Sequence, residues 1–203
     1  MQTDKPYRLV LASASPARKA LLDAAGIDVE VEVSGVDESM MEAVDPQTLC
    51  LGLARMKART IAANMDAVPG TLVLGCDSVL GFDDEIFGKP ANAADAVKRW
   101  RRMRGRSGVL HTGHHLTDVM RGVQAEEVAS TVVHFSDVSD SEIEAYVATG
   151  EPLRVAGAFT IDGRGSAFVD RIEGDHGNVI GLSMPLLRRL LAQLDVPITA
   201  LWR

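Results

Sequence analysis

The sequence predicts an α/β domain with a mixed sheet. Short apolar runs that read as strands (9–11, 71–80, 109–117, 128–135) are interspersed with stretches of helical period (16–25, 45–64, 92–103, 185–194). The two kinds of element do not alternate strictly, as an all-parallel sheet would require. At 203 residues, with few aromatics, the chain has an ordinary globular composition. That length suits one large domain or two small lobes, and it buries a core without staples.

In chain order, Leu9-Val10-Leu11 is a short buried strand that Ser13 and Ser15 break. Ser15-Pro16 opens a helix: Ser caps free N–H groups, and Pro at the first helical position gives up no hydrogen bond there. Arg18 and Lys19 fall in its first turn, where cations oppose the helix dipole at a cost of about 0.3–1 kcal/mol each. Two readings fit. One is a capped surface helix with solvated charges; the other is a phosphate cradle made of N–H groups, two hydroxyls and two cations. Gly26 stops this helix. Val29 to Val33 alternates as a half-buried strand and runs into a loop with Asp37 and Glu38.

Asp45-Pro46 opens a helix to about Asn64 that carries Lys57, which taken alone reads as an exposed lysine. Thr71 to Leu80 is an apolar strand interrupted by Asp77, followed by a turn at 81–84 and a short return strand, Glu85 to Phe87. Gly88-Lys89-Pro90 ends it, and Asn92 with Asp95 matches a capping box for a helix to about Met103. Val109–Thr117 and Val128–Phe135 read as meander strands joined by a polar link, 118–127. A second capping box, Ser139 with Glu142, opens a helix to about Ala148. Residues 158–161 and 166–169 flank Asp162-Gly163-Arg164-Gly165, a hairpin signal. A final helix opens at Gly181-Leu182-Ser183-Met184-Pro185, with Leu186, Leu187, Leu190, Leu191 and Leu194 as its apolar stripe.

The net charge of −7 argues against a general nucleic-acid or anionic-membrane binder. The one basic run, Lys98 to Arg106, reads as a solvated helix face. Cys50 and Cys76 read as small core residues with no disulfide or zinc pattern. The polar start, Met1 to Arg8, lacks a signal core, and no apolar run approaches a membrane span, so a cytoplasmic location is the expectation. His114 and His115 would point to opposite faces of a strand, which argues against one shared metal.

Asp77 is the strongest chemical signal, because an unpaired carboxylate in an apolar strand costs several kcal/mol. A metal, a lysine or an open cleft would compensate it; the plain alternative is a strand-end Asp bonded to backbone. With Asp37 and Glu38 it forms a candidate oxygen-ligand set for Mg2+ or Mn2+. Lys89, fixed between Gly88 and Pro90, is either a site cation or a solvated turn lysine.

Several segments then occur in a specific order: Leu-Ala-Ser-Ala-Ser-Pro-Ala-Arg (11–18), Val-Asp-Glu (36–38), Leu-Ala-Arg-Met-Lys-Ala (53–58), Gly-Cys-Asp-Ser-Val (75–79), Gly-Lys-Pro (88–90), His-Thr-Gly (111–113), Val-Ala-Gly-Ala-Phe (155–159) and Asn-Val-Ile-Gly-Leu (178–182). Together they resemble the Maf family of nucleoside triphosphate pyrophosphatases, over about Leu9 to Leu191. The resemblance implies a single domain over 1–203, elongated and two-lobed around a central cleft, akin to the inosine-triphosphate pyrophosphatases. It implies hydrolysis of a nucleoside triphosphate to monophosphate and pyrophosphate with a divalent metal, Mg2+ or Mn2+. It places the proton acceptor at Asp77, phosphate-binding residues at Ser13, Ser15, Arg18, Lys57 and Lys89, and metal ligation at Glu38 with Asp77. Ala17, Ser78 and Asp162 stand where the family varies with base selection. All three differ from the dTTP/UTP-directed and 7-methyl-GTP-directed patterns, so the resemblance assigns neither substrate. A homodimer is a further expectation. A nucleotide- or protein-binding regulator of cell division is the competing class.

Overall fold

The computed structural model describes residues 7–38, 41 and 45–203; the polar stretch 1–6 of the N-terminal reading lies outside them. Strand β1 (Arg8–Leu11) runs parallel to both its neighbours, β2 (Val29–Val31) and β3 (Thr71–Phe82). From β3 onward the sheet is antiparallel, through β5 (Ser107–Asp118), β6 (Gln124–Phe135) and β7 (Val169–Glu173). The short β4 (Glu85–Phe87) folds back on the end of β3. The result is a seven-stranded mixed sheet in the order β2-β1-β3-β5-β6-β7, with β4 off the path.

The helices are α1 (Pro16–Ala24), α2 (Pro46–Ala62), α3 (Ala93–Met103), α4 (Asp140–Ala148), α5 (His176–Ile180) and α6 (Met184–Gln193). Their starts are written in local chemistry. Ser15, Asp45, Asn92, Ser139 and Ser183 each accept a hydrogen bond from a backbone N–H of the first turn. Ser139 and Glu142 complete a reciprocal capping box. At Asn92 the expected box does not close, because the Asp95 carboxylate accepts from Ala91 N instead (3.0 Å).

The apolar core divides along the long strands. One cluster joins Leu9, Leu11, Leu72, Leu74 and Cys76 to the leucine stripe of α6, which is buried as its spacing predicted. Each of those leucines contributes roughly 1.5–3 kcal/mol by leaving water. A second cluster joins Leu80 and Phe82 to Trp100, Phe135, Tyr146 and Phe159, and a third, smaller one joins Val10, Ala12 and Val73 to Ala58 and Ile61 of α2. Trp100 stands edge-on to Phe135, Tyr146 and Phe168, and its indole N–H donates to Ala158 O (2.7 Å). Asp77 falls between Cys76 of the first cluster and Leu80 of the second.

Three expectations change. The strand expected over 29–33 ends at Val31, where β2 is an edge with β1 as its only ladder partner. The polar link 118–127 shrinks to a tight turn, because β6 begins at Gln124 and pairs Gln124–Glu127 with the far end of β5. The hairpin around 162–165 does not form. Gly157 (φ 71°) and Ala158 (φ 59°) turn the chain sharply, and Glu151 accepts the N–H groups of Arg164 (3.1 Å) and Gly165 (3.0 Å), so residues 164–168 coil into a 3-10 turn.

The basic run of α3 and the turn after it lies on a solvent-facing surface, as expected, with its arginines paired there. Arg99 pairs with Asp95, Arg101 and Arg104 with Asp140, Arg102 with Glu85, and Arg106 with Asp83. The Arg99, Arg102 and Arg106 guanidinium groups also lie over Phe87 or Phe82 at 4.8–5.9 Å. Cys50 and Cys76 are buried free thiols, as composition suggested. Among the described residues no helix is long and apolar enough to cross a membrane.

Candidate active site

Strand β1 stops pairing with β3 at Leu11–Leu74, and the chain leaves the sheet at Ser13. The edge of β3 beyond that point is therefore uncovered, and a cleft of about 860 Å³ opens there. Crevices at the carboxyl ends of parallel strands are the usual ligand sites of such sheets. The cleft is lined by Ser13, Ser15, Ala17 and Arg18 at the start of α1, by Glu38, Lys57, Asp77, Ser78 and Lys89, and by Asp162. The fold thus gathers into one cavity the residues that the family resemblance implied, scattered over 13–162; Lys19 and Asp37, the other candidates of the sequence, are not in its lining.

Two glycines set the floor. Side chains alternate along a strand, so Gly75 and Asp77 share the face of β3 that carries α2. Opposite Asp77 in register is Gly113 of β5. A Cβ at Gly75 would lie 2.1 Å from Ala54 O, and one at Gly113 would lie 2.4 Å from Cys50 O. Only glycine lets α2 lie this close to the sheet. At that distance Lys57, one turn beyond Ala54, reaches the strand: its Nζ is 2.5 Å from Asp77 Oδ1 and 2.6 Å from Glu38 Oε1. Lys57 is 9% exposed and Asp77 8%, which corrects the reading of Lys57 as a solvated helix residue.

The two carboxylates that share Lys57 are pushed in opposite directions. Burial dominates at Asp77 and lifts its pKa above the ordinary aspartate value, against the pull of Lys57 and Arg18. Burial acts upward on Glu38 too, but its hydrogen bond to Lys57 and the charges of Lys57, Lys89 and Arg18 outweigh it and hold the carboxyl below its usual range. Such a split separates a group that takes up a proton from one that stays ionised.

The other face of β3 holds the start of α1. Arg18 is buried and spends its donors on protein: Nε on Gly181 O (2.8 Å), Nη1 on Ser13 Oγ (3.0 Å) and Cys76 O (2.8 Å), Nη2 on Ser78 Oγ (3.1 Å). Ser13 Oγ also accepts from Ser15 N (3.2 Å). Arg18 therefore ties the 13–18 turn to β3 and to the loop before α6. Lys19, expected beside it, turns away to Asp23 (2.5 Å). Ser78 Oγ lies 2.9 Å from Thr112 Oγ1, which donates to Asn178 O (3.1 Å). Thr112 and Asn178 lie in two of the segments that carry the family resemblance but have no role in the sequence reading, because a threonine in a strand and an asparagine in a five-residue helix carry no local signal of their own. His114 and His115 do part to different partners: His114 bonds Thr112 O and Ser183 N, and His115 bonds Glu126.

Lys89 is placed by its neighbours. Gly88 O accepts from Arg99 Nη1 (2.7 Å) and from Gly157 N (3.1 Å), and Arg99 is paired with Asp95 (2.8 Å), which holds Ala91 N. The Gly88–Ala91 turn is thus clamped on both sides of Lys89.

Comparison with known proteins finds relatives over nearly the whole chain. The family model described as Maf-like protein matches residues 8–194. A nucleoside triphosphate pyrophosphatase of Salinispora tropica is 64% identical over 100% of this chain and 90% of its own length. Proteins of the same name from Streptomyces coelicolor and Synechococcus elongatus are 58% and 50% identical, over 96% and 97% of this chain and 94% and 98% of theirs. With a family match spanning the whole sheet and every cleft residue named above, this chain belongs to the Maf family.

Proposed function

We propose that this chain is a nucleoside triphosphate pyrophosphatase, a hydrolase that releases the monophosphate and pyrophosphate. The observation that carries the reading is the Asp77–Lys57–Glu38 constellation at the floor of a cation-lined cleft. The names of its relatives support it.

Asp77, buried and raised in pKa, takes the proton from the attacking water. Lys57 holds Asp77 in place and offsets charge on the phosphates. The Ser13–Arg18 turn presents hydroxyls and backbone N–H groups at the start of α1, where the helix dipole favours an anion. Lys89 neutralises a second part of the triphosphate. Fixed donors of this kind act by stabilising charge as it develops on phosphate oxygens.

The donor set fits a divalent cation. Two carboxylate oxygens converge on a single point now held by one ammonium group, and hard ions of this class take one or two carboxylates together with phosphate oxygens and water. Among the described residues no three His, Cys, Asp or Glu side chains form a closed metal cage. Glu38 and Asp77 would hold Mg2+ or Mn2+, which supplies charge neutralisation and lowers the pKa of water. Ala17, Ser78 and Asp162 line the same cleft and are the proposed points of base selection. We assign the two larger core clusters to two lobes of a single domain that border the cleft.

A pyrophosphate-release assay over normal and modified triphosphates, with and without Mg2+ or Mn2+, tests this. Metal-dependent release from at least one triphosphate is expected; none from any of them, with nucleotide binding intact, would favour a regulatory binding protein instead. Arg99→Ala is expected to raise KM about tenfold with a smaller change in kcat, because it removes one of the two donors to Gly88 O and loosens Lys89. Arg99→Lys restores part of the loss. An unchanged KM in Arg99→Ala would remove the positioning role.

A further inference from the structure

Among the described residues, four cations line the cleft: Arg18, Lys57, Lys89 and Arg154. Two of them are committed to the protein, Arg18 to four oxygens and Lys57 to two carboxylates. Lys89 and Arg154 make no hydrogen bond or ion pair with any described residue. Exposed arginines such as Arg8, Arg102, Arg106 and Arg189 are each matched to a carboxylate; among the described residues Arg154, Arg164 and Arg188 have no side-chain partner, and of these three Arg154 lines the cleft.

Arg154 ends a 3-10 turn, Glu151–Arg154, that is anchored at both ends. At its start the Glu151 carboxylate accepts from Thr160 Oγ1 (2.6 Å), Gly165 N (3.0 Å) and Arg164 N (3.1 Å). Beyond its end, Gly157 N donates to Gly88 O (3.1 Å), next to Lys89. The backbone under Arg154 is therefore fixed, and the two unpartnered cations sit on segments bonded to each other. A planar guanidinium fork on a fixed base is the group that meets phosphate oxygens two at a time.

We infer that Arg154 is a substrate-binding residue that grips, with Lys89, the outer phosphates that leave as pyrophosphate. This rests on the reading of the cleft as a triphosphate site. Arg154 then makes the phosphate end of the cleft a two-cation clamp on one wall, facing the Asp77–Lys57–Glu38 floor with charge left over for the leaving group. It acts on a part common to all triphosphates, so it contributes affinity without choosing a base.

The test is calorimetric titration of inorganic pyrophosphate, with Mg2+ present, into the full chain and into Arg154→Ala and Arg154→Lys. Arg154→Ala is expected to bind pyrophosphate about tenfold or more weakly, with Arg154→Lys between it and the unsubstituted protein. The thermal midpoint stays unchanged, because the Arg154 side chain makes no hydrogen bond or ion pair among the described residues. In steady-state assays the same variant lowers kcat/KM by a similar factor for every triphosphate, leaving the ranking of bases as it was. Unchanged pyrophosphate affinity overturns the inference, as does a changed base ranking with unchanged pyrophosphate affinity, which would make Arg154 a base reader. If the unsubstituted protein hydrolyses no triphosphate, the enzymatic reading fails while the dependence of pyrophosphate binding on Arg154 still decides this one.

Discussion

Asp77→Asn is expected to lower kcat by about 10²–10⁴-fold, the range contributed by a positioned general base, and to leave the fold and most nucleotide affinity in place. The two effects separate because of how Asp77 is held. Its carboxylate is buried between Lys57 and the glycine floor, and burial, helped by the nearby Glu38 charge, lifts its pKa. Removing one partner of a buried ion pair normally costs about 3–5 kcal/mol, because a charge is left uncompensated. Here Lys57 keeps Glu38 at 2.6 Å, and the neutral amide of Asn no longer has a charge to desolvate, so the two changes oppose each other. The amide keeps the shape and the hydrogen-bonding oxygen but takes no proton from water. Pyrophosphate release, nucleotide binding by calorimetry and the thermal midpoint are the three readouts. Turnover within tenfold of the unsubstituted protein would sink the assignment of Asp77 as base. Lost turnover together with lost binding and a collapsed midpoint would reduce it to a structural residue.

What the sequence disclosed about this molecule was what local chemistry encodes. Ser15-Pro16, Asp45-Pro46 and Ser139 with Glu142 announce helix starts because the groups that cap a helix are its own neighbours. The stripe Leu186 to Leu194 is legible because burial follows helical period. Asp77 is legible because a carboxylate violates the pattern of an otherwise apolar strand. Contacts between distant residues leave no such mark. Arg18 looks like a phosphate ligand until Gly181, Cys76 and Ser78 are brought to it from 58 to 163 residues away. Glu151 looks like a turn residue until the 160–165 loop closes on it and replaces a predicted hairpin. Arg154 is the reverse case: it is functional in our reading because nothing in the described fold claims it, which only the full set of contacts can reveal.

As pH falls from above 6.5 to below 4 the protein is expected to lose about 3–4 kcal/mol of folding stability through one residue, His114. His114 faces Cys76 across β3 and β5 and is fully buried. Burial, reinforced by the charges of Arg18 and Arg189 and opposed by the Thr112 hydrogen bond and by Asp175, pushes its imidazole from 6.5 down to about 4. The ring is held neutral by geometry as well: Nδ1 donates to Thr112 O (3.0 Å), so Nε2 is left to accept from Ser183 N (2.9 Å) at the cap of α6. The unfolded chain takes up a proton near 6.5 and the folded chain resists it to about 4. Stability is therefore complete above 6.5 and is lost as pH falls toward the folded value; a gap of about 2.5 units at about 1.4 kcal/mol each gives the figure above. Protonation would turn the acceptor for Ser183 N–H into a donor and set a second cation beside Arg18, which is tied to Ser13, Ser78 and Gly181. Acid thus strikes the strut that joins α6 to the 13–18 turn, so loss of nucleotide binding on acidification should track loss of fold. Denaturant unfolding at a series of pH values should give a flatter pH dependence in His114→Gln over this window, whatever that variant's absolute stability. NMR titration of the imidazole should find it neutral at pH 5.5. A ring that titrates near 6.5, or an unchanged slope in His114→Gln, would remove His114 as the source.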